Sequence, residues 1–247
     1  MLDLIQTYWV YFLIGQYPQG PLGGVAVTVL LAALALLLAM PIGLLLGLAR
    51  VSTIAALRRP VTALVYLVRG IPLLLMVFWI YFYLPTVTGH KTDQFTTMLI
   101  ALVVFDGVYL AEIVRAGVQG VPRGQYEAAR ALGLGHGRAM RRVILPQALR
   151  SMLPSLVNQF VSTIKATSLG YIIGLTEASF IASQINSQVL VHPTAVYLIL
   201  SLMYFILCFG LSRFAFWLER RQARRDLPRP ARSPGSPTAT ASAAPNP

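Results

Sequence analysis

Long apolar runs alternate with short segments in which arginine gathers, and this alternation predicts a bundle of membrane-crossing helices. The first run, residues 22–49, is long enough to cross a hydrocarbon core of roughly 30 Å with some tilt. Pro41 predicts a kink within it, and Arg50, Arg58 and Arg59 follow at once. Residues 60–84 form the second run, interrupted by Gly70 and Pro72 and carrying Arg69. A short loop over 85–94 leads to the third, 95–117, and a basic loop over 119–150 leads to the fourth, 151–175. Residues 176–194 contain Glu177 but neither Lys nor Arg, and have room for one short helix. The fifth run, 195–217, ends among Arg213, Arg220, Arg221, Arg224 and Arg225. Loops rich in Lys and Arg are retained in the cytoplasm. Five transmembrane helices therefore place the N-terminus outside, the C-terminus inside and each large basic cluster on the cytoplasmic side.

The ends of the chain read differently. Residues 1–21 hold no Lys or Arg and lack the basic start and small-residue cleavage site of a signal peptide. Tyr8, Trp9, Tyr11 and Phe12 predict an interfacial stretch on the outer surface, because amphipathic rings settle at the headgroup level. Residues 219–247 begin basic, and from Asp226 onward they are rich in Pro, Ser and Ala, a composition that predicts disorder there. The transmembrane domain thus occupies 22–218.

Composition supports an all-α membrane protein: 56% of the 247 residues are hydrophobic and only 11% are charged. A net charge of +12 would suit a nucleic-acid partner, but the arginines sit in clusters between apolar runs, not along one soluble face. Positive-inside sorting accounts for them without nucleic acid. The single Cys208 excludes an internal disulfide and a cysteine metal cluster. A phosphate-binding loop needs Gly-Lys followed by Ser or Thr, and the only lysines, Lys91 and Lys165, follow His90 and Ile164. The chain therefore carries no ATPase motif. His90, His136 and His192 lack the HExxH spacing, and no GxSxG elbow is present, so no catalytic residue and no metal ligand is assigned.

Polar residues inside the runs are the candidate functional positions. In the third, Asp106, Tyr109 and Glu112 follow one another by about 60° and share one broad face. Glu112 stands three residues before Arg115, a spacing that suits an ion pair. The fourth is unusually polar, with Asn158, Gln159, Ser162, Thr163, Lys165, Thr167 and Ser168. Such a set packs on protein or lines a watery path, and Asn158, Ser162 and Lys165 share a face. Two readings stand for Lys165, a path residue or the counter-charge of Asp106 or another buried acid. Arg69 either snorkels to headgroups, pairs with a neighbouring subunit, or belongs to a gate. A membrane enzyme using Asp106 with a second acid is a further possibility, as is a channel or an exporter.

The basic loop is organised around residues 126–146, YEAARALGLGHGRAMRRVILP. Its alanines favour helix, its glycines interrupt it, and Met140, Val143 and Ile144 predict a second amphipathic turn that Pro146 stops. Glu127, Ala128 and Ala129, then Gly133, then Val143, Leu145 and Pro146 resemble the EAA loop of ABC importer permeases, whose helix docks into a groove on the ATP-hydrolysing subunit. Val143 departs from the usual Ile. The flanking stretches GVYLAEIVRAGVQGVPRGQ and VILPQALRSMLPSLVNQFVSTIKATSLGYIIG, with RGIPLLL from Arg69, resemble the polar amino acid branch of that family over roughly residues 22–218.

The resemblance implies a type I importer permease fold in a bacterial inner membrane and a chain that binds no cofactor of its own. Implied partners are a second permease subunit (the same chain or a related one), two ABC ATPase subunits holding ATP and magnesium, an extracytoplasmic amino-acid-binding protein and membrane lipid. It implies that Glu127, Ala128, Ala129, Ala131, Leu132, Gly133, Leu134 and Pro146 form the ATPase-coupling element. The path candidates are Asp106, Tyr109, Glu112, Asn158, Ser162, Lys165, Thr167 and Ser168, with Arg69 as gate candidate. Members of the branch commonly have an acid after the lysine of the fourth span, where this chain has Ala166. They often have a small residue where it has Asp106, which suggests one negative charge moved between helices to stand beside Lys165.

Overall fold

The computed structural model describes residues 2–189 and 193–226, so His192 and the tail beyond Asp226, expected to be disordered, lie outside the described residues. Among the described residues the chain is helical, with two isolated β-bridges, Gly15 to Leu22 and Gly24 to Glu177. The helices are α1 (Leu2–Ile14), α2 (Gly24–Val51), α3 (Ala55–Arg69), α4 (Leu73–Thr88), α5 (Gln94–Gly120), α6 (Arg123–Ala131), α7 (His136–Ala139), α8 (Leu145–Ala166), α9 (Ala178–Val189) and α10 (Pro193–Asp226). A π-helical turn, Met140–Ile144, joins α7 to α8, and a 3₁₀ turn, Thr167–Ile173, follows α8.

The centre of the fold is α2 against α5, and small residues set how closely they approach. Ala32, Ala35 and Ala39 are fully buried along α2. Gly43 and Gly47 continue that face; a methyl group added at Gly43 would come within 2.4 Å of Leu110 Cβ, and one at Gly47 within 2.6 Å of Val114. This is packing by backbone approach, the usual means of holding helices together where lipid removes the hydrophobic drive. One end of the pair packs Leu31, Met98 and Leu102 against Val77 of α4 and Ile173. The other end packs Ala39, Leu110 and Val114 against Ala148, Met152 and Leu156 of α8. A third cluster joins Phe12 of α1 to Ile181 and Ile185 of α9 and Val196 of α10.

By length and apolarity α2, α5 and α10 can each cross a membrane, and the α3–α4 pair would be a fourth crossing if taken as one span. The second apolar run is not one rod, however. Its two halves meet at 95°, because Gly70 closes α3 and Pro72 adopts an extended ψ of 135°, while Pro72 also disfavours helix at Ile71 before it. The fourth run is too polar to qualify by the same measure. It enters as α8, tightens into the 3₁₀ turn and ends at Gly174, whose φ of +81° suits glycine. The short helix expected within 176–194 is α9. The N-terminal stretch is also helical, and the Tyr11 hydroxyl donates to Gln184 of α9 at 3.0 Å.

Candidate functional site

The basic loop folds as α6 followed by a continuous helical run through α7, the π turn and α8. The end of α6 is a complete Schellman closure: Gly133 donates its N–H to Arg130 O and Leu134 donates to Ala129 O, at 3.0 and 3.1 Å. Gly133 sits at φ +79°, which is why that position calls for glycine. The closure leaves Leu132 at the tip, 84% exposed, while Ala129 is buried beneath it. Glu127, Ala128 and Ala131 are exposed on α6, and Leu134 is half-buried. Tyr126 Oη lies 3.0 Å from His136 Nδ1, and Gln147 Nε2 donates to Gln125 Oε1 at 3.4 Å, so α6 rests on the start of the long run.

Pro146 does not stop that run, as its position suggests, but begins α8. A proline ring clashes with the carbonyl four residues earlier and supplies no N–H. The chain absorbs this by widening the preceding turn, in which Leu145 donates its N–H to Met140 O instead of to the residue four back.

A cluster of charge joins α2, α3 and α5. Glu112 accepts from Arg50, whose side chain is 3% exposed, and from Arg115, which also donates to Gln119. Arg69 Nη1 reaches Glu112 at 3.7 Å and its guanidinium lies 5.0 Å from the centre of the Tyr109 ring; Arg50 stacks likewise on Tyr66 at 5.4 Å. The expected pair of Glu112 with Arg115 is present. Arg69, for which headgroups, a neighbouring subunit and a gate all stand as readings, makes its 3.7 Å contact within its own chain. Arg50 is the residue the sequence reading misses: it has the look of a flanking cytoplasmic charge, and only the α2–α5 contact turns it inward. Three guanidinium groups face one carboxylate, and Arg69 and Arg115 keep about a third of their side chains exposed, 33% and 30%.

Asp106 is 1% exposed and bonded to α8, accepting from Gln159 Nε2 at 2.8 Å and Thr163 Oγ1 at 2.9 Å. Lys165 forms no ion pair among the described residues, so the expected Asp106–Lys165 pair is not made within the chain. Helix geometry accounts for this: at 3.6 residues per turn Lys165 stands about 140° round α8 from Gln159 and Thr163. It belongs instead to an exposed polar stripe of Ser151, Ser155, Asn158, Ser162 and Lys165. Thr167 is buried and donates to Ile164 O, and Ser168 donates to Lys165 O, so both hydroxyls are engaged by their own backbone.

Beyond the far end of α8, Glu177 is fully buried ahead of α9. Its carboxylate accepts from the N–H groups of Ser179 and Phe180 and from the Tyr204 hydroxyl of α10, while Thr28 Oγ1 of α2 accepts from Ala178 N–H. The group therefore ties α9 to α10 as a helix cap. Burial pushes its carboxyl up to about 7 despite those donors. A raised carboxyl favours the folded state most below the unfolded value of 4.5 and loses that contribution as pH rises through about 7. Tyr204 is the titratable group touching it among the described residues. Amide protection in α9, corrected for the intrinsic pH dependence of exchange, should fall between about pH 4.5 and 7 in the wild type and stay flat in Glu177→Gln; equal protection profiles would show that Glu177 does not govern this end.

Comparison with known proteins decides the class. Residues 39–224 match the family described as binding-protein-dependent transport system inner membrane component. The chain belongs to that family. This inner membrane component is 35% identical over 218 residues to the inner membrane amino-acid ABC transporter permease protein YhdY of Escherichia coli (strain K12), covering 87% of this chain and 59% of that protein. It is 36% identical over 215 residues to the probable glutamine ABC transporter permease protein GlnP of Bacillus subtilis (strain 168), covering 85% of this chain and 98% of that one. A solved crystal structure of an amino acid ABC transporter with histidines has 34% identity and a TM-score of 0.74, over 80% of this chain and 92% of that chain. The chain is a transport component and not an ATPase, and its fold is that of ABC permeases.

Proposed function

We propose that this chain is the permease subunit of an ATP-driven importer and that its solute is a polar amino acid. The observation that carries this reading is the exposed stripe of Ser151, Ser155, Asn158, Ser162 and Lys165 on a helix that the fold sets among membrane spans. Hydroxyl, amide and ammonium groups do not face hydrocarbon. Turned toward a second permease subunit, the stripe lines a watery path, and the names of the relatives supply the solute class.

In this reading α2, the bent α3–α4 pair, α5, α8 with its 3₁₀ turn, and α10 make five crossings. The N-terminus lies outside with α1 at the outer interface, and the basic ends face the cytoplasm. Arg69 and Arg115 offer guanidinium donors beyond those Glu112 engages, suited to a carboxylate arriving at the cytoplasmic end, with Tyr109 behind Arg69 as part of a gate. Asp106 acts as the polar joint between α5 and α8 and does not contact solute. The segment from Glu127 to Leu134, with Pro146 at the base of α8, docks on one of two ATPase subunits that hold ATP and magnesium. A solute-binding protein delivers from outside.

The test is uptake by the assembled importer carrying Asn158→Leu with Ser162→Leu. Transport should fall at least tenfold while assembly with the ATPase is retained. Uptake at the wild-type rate would take the stripe out of the path.

A further inference from the structure

Away from the polar stripe, α8 turns an apolar face to α2 and α5 that is packed in part and grooved in part. Leu145, Leu149, Met152 and Leu156 follow one another at helical spacing and line a groove of about 460 Å³, closed on its other walls by Met40, Pro41 and Leu44 of α2 and Leu110 and Val114 of α5. Its walls are almost wholly aliphatic and sulfur-bearing. Immediately before it in the same continuous helical run, Arg138, Arg141 and Arg142 line a second, cationic hollow with Gly137. Arg141 and Arg142 precede Leu145 by about one turn of the same run, which sets these guanidinium groups toward the Leu145 end of the groove. Neither feature is used by the transport path, which lies about 130° round α8.

We propose that the groove holds an acyl chain of an anionic phospholipid whose phosphate is bound by Arg138, Arg141 and Arg142. Charge complementarity selects this occupant. A basic surface formed by one helical turn, one turn before an aliphatic slot in the same run, matches both ends of such a lipid. A second copy of this chain would bring the same arginines toward their like, on a protein already carrying a net charge of +12. The site also has a mechanical place in the fold. Its walls are the α2–α5 core on one side and the base of α8 on the other, the point at which the loop bearing α6 enters the membrane. A lipid there wedges the loop's stem against the core, whichever solute is carried.

Native mass spectrometry of the purified transporter, equilibrated with equal amounts of phosphatidylglycerol and phosphatidylcholine, tests this. The wild type should retain phosphatidylglycerol several-fold over phosphatidylcholine. Arg141→Gln with Arg142→Gln should bring the ratio to near one. Leu149→Trp, which fills the groove, should abolish retention of both lipids, and Leu44→Phe from the opposite wall should give the same loss to a smaller extent if the first variant folds poorly. Phosphatidylglycerol retained equally by wild type and both filled variants would overturn the proposal. So would separation of the permease pair by the filled variants with lipid retention unchanged, which would make the groove a contact between copies.

Discussion

Leu132→Asp should abolish solute-stimulated ATP hydrolysis and reduce co-purification of the ATPase subunit by at least an order of magnitude, without loss of the folded permease. Leu132 is 84% exposed at the tip of α6, held there by a backbone closure and not by side-chain packing. A leucine moved from water into a partner's groove contributes about 1.5–3 kcal/mol, which is roughly ten- to a hundredfold in affinity. A carboxylate at the same place adds the cost of desolvating a charge. Gly133→Arg should act through a different cause. Its φ of +79° disfavours any other residue by about 1–3 kcal/mol, and releasing the closure lets Leu132 leave its position. Nothing lies within 4 Å of a Cβ built at Gly133, so the defect would come from backbone strain or at the partner, not from a clash inside the chain. Retention of full coupling by both variants would remove α6 from the ATPase contact.

Glu112→Gln should be the most damaging single change to the permease itself. Arg50 is almost fully enclosed and Glu112 is its only charged partner among the described residues; its Nε already lacks a hydrogen-bond acceptor. Arg50 is the buried member of this pair, and removing its counter-charge leaves that guanidinium uncompensated, at a cost below the roughly 3–5 kcal/mol of a fully buried pair because Glu112 itself is 27% exposed. The glutamine keeps the shape, so the loss would be electrostatic. Thermal unfolding in detergent should show a fall of several degrees, and Arg50→Met added to Glu112→Gln should recover part of it. If the double variant were no more stable than the single one, Arg50 would not be the group that Glu112 neutralises.

The parts legible in the sequence are those fixed locally. Gly133, following the alanine-rich Ala128–Ala131 stretch of α6, announces the end of a helix, and the structure closes it there. The Glu112–Arg115 pair follows from spacing on one helix. What the sequence hides depends on rotation and on contact between distant segments. Pro146 has the same local chemistry whether it ends a helix or sits at its start behind a π turn. Arg50 looks like one more flanking arginine until α2 is laid against α5. By charge alone Asp106 calls for Lys165, yet Gln159 and Thr163 occupy the face of α8 that turns toward α5. Their spacing of four residues carries the signal, which a count of charges passes over. The exposed stripe is legible in part: Asn158, Ser162 and Lys165 share a face by periodicity, and the fold adds Ser151 and Ser155.

The account as a whole stands on transport coupled to ATP hydrolysis. This chain should therefore be reconstituted in proteoliposomes with an ABC ATPase that co-purifies with it and an extracytoplasmic amino-acid-binding protein, and ATP hydrolysis measured against the common amino acids one at a time. The expected result is stimulation by one chemical class of polar amino acid, lost in Leu132→Asp. Hydrolysis that no amino acid stimulates, or a chain that associates with no ATPase in the wild type, would contradict it.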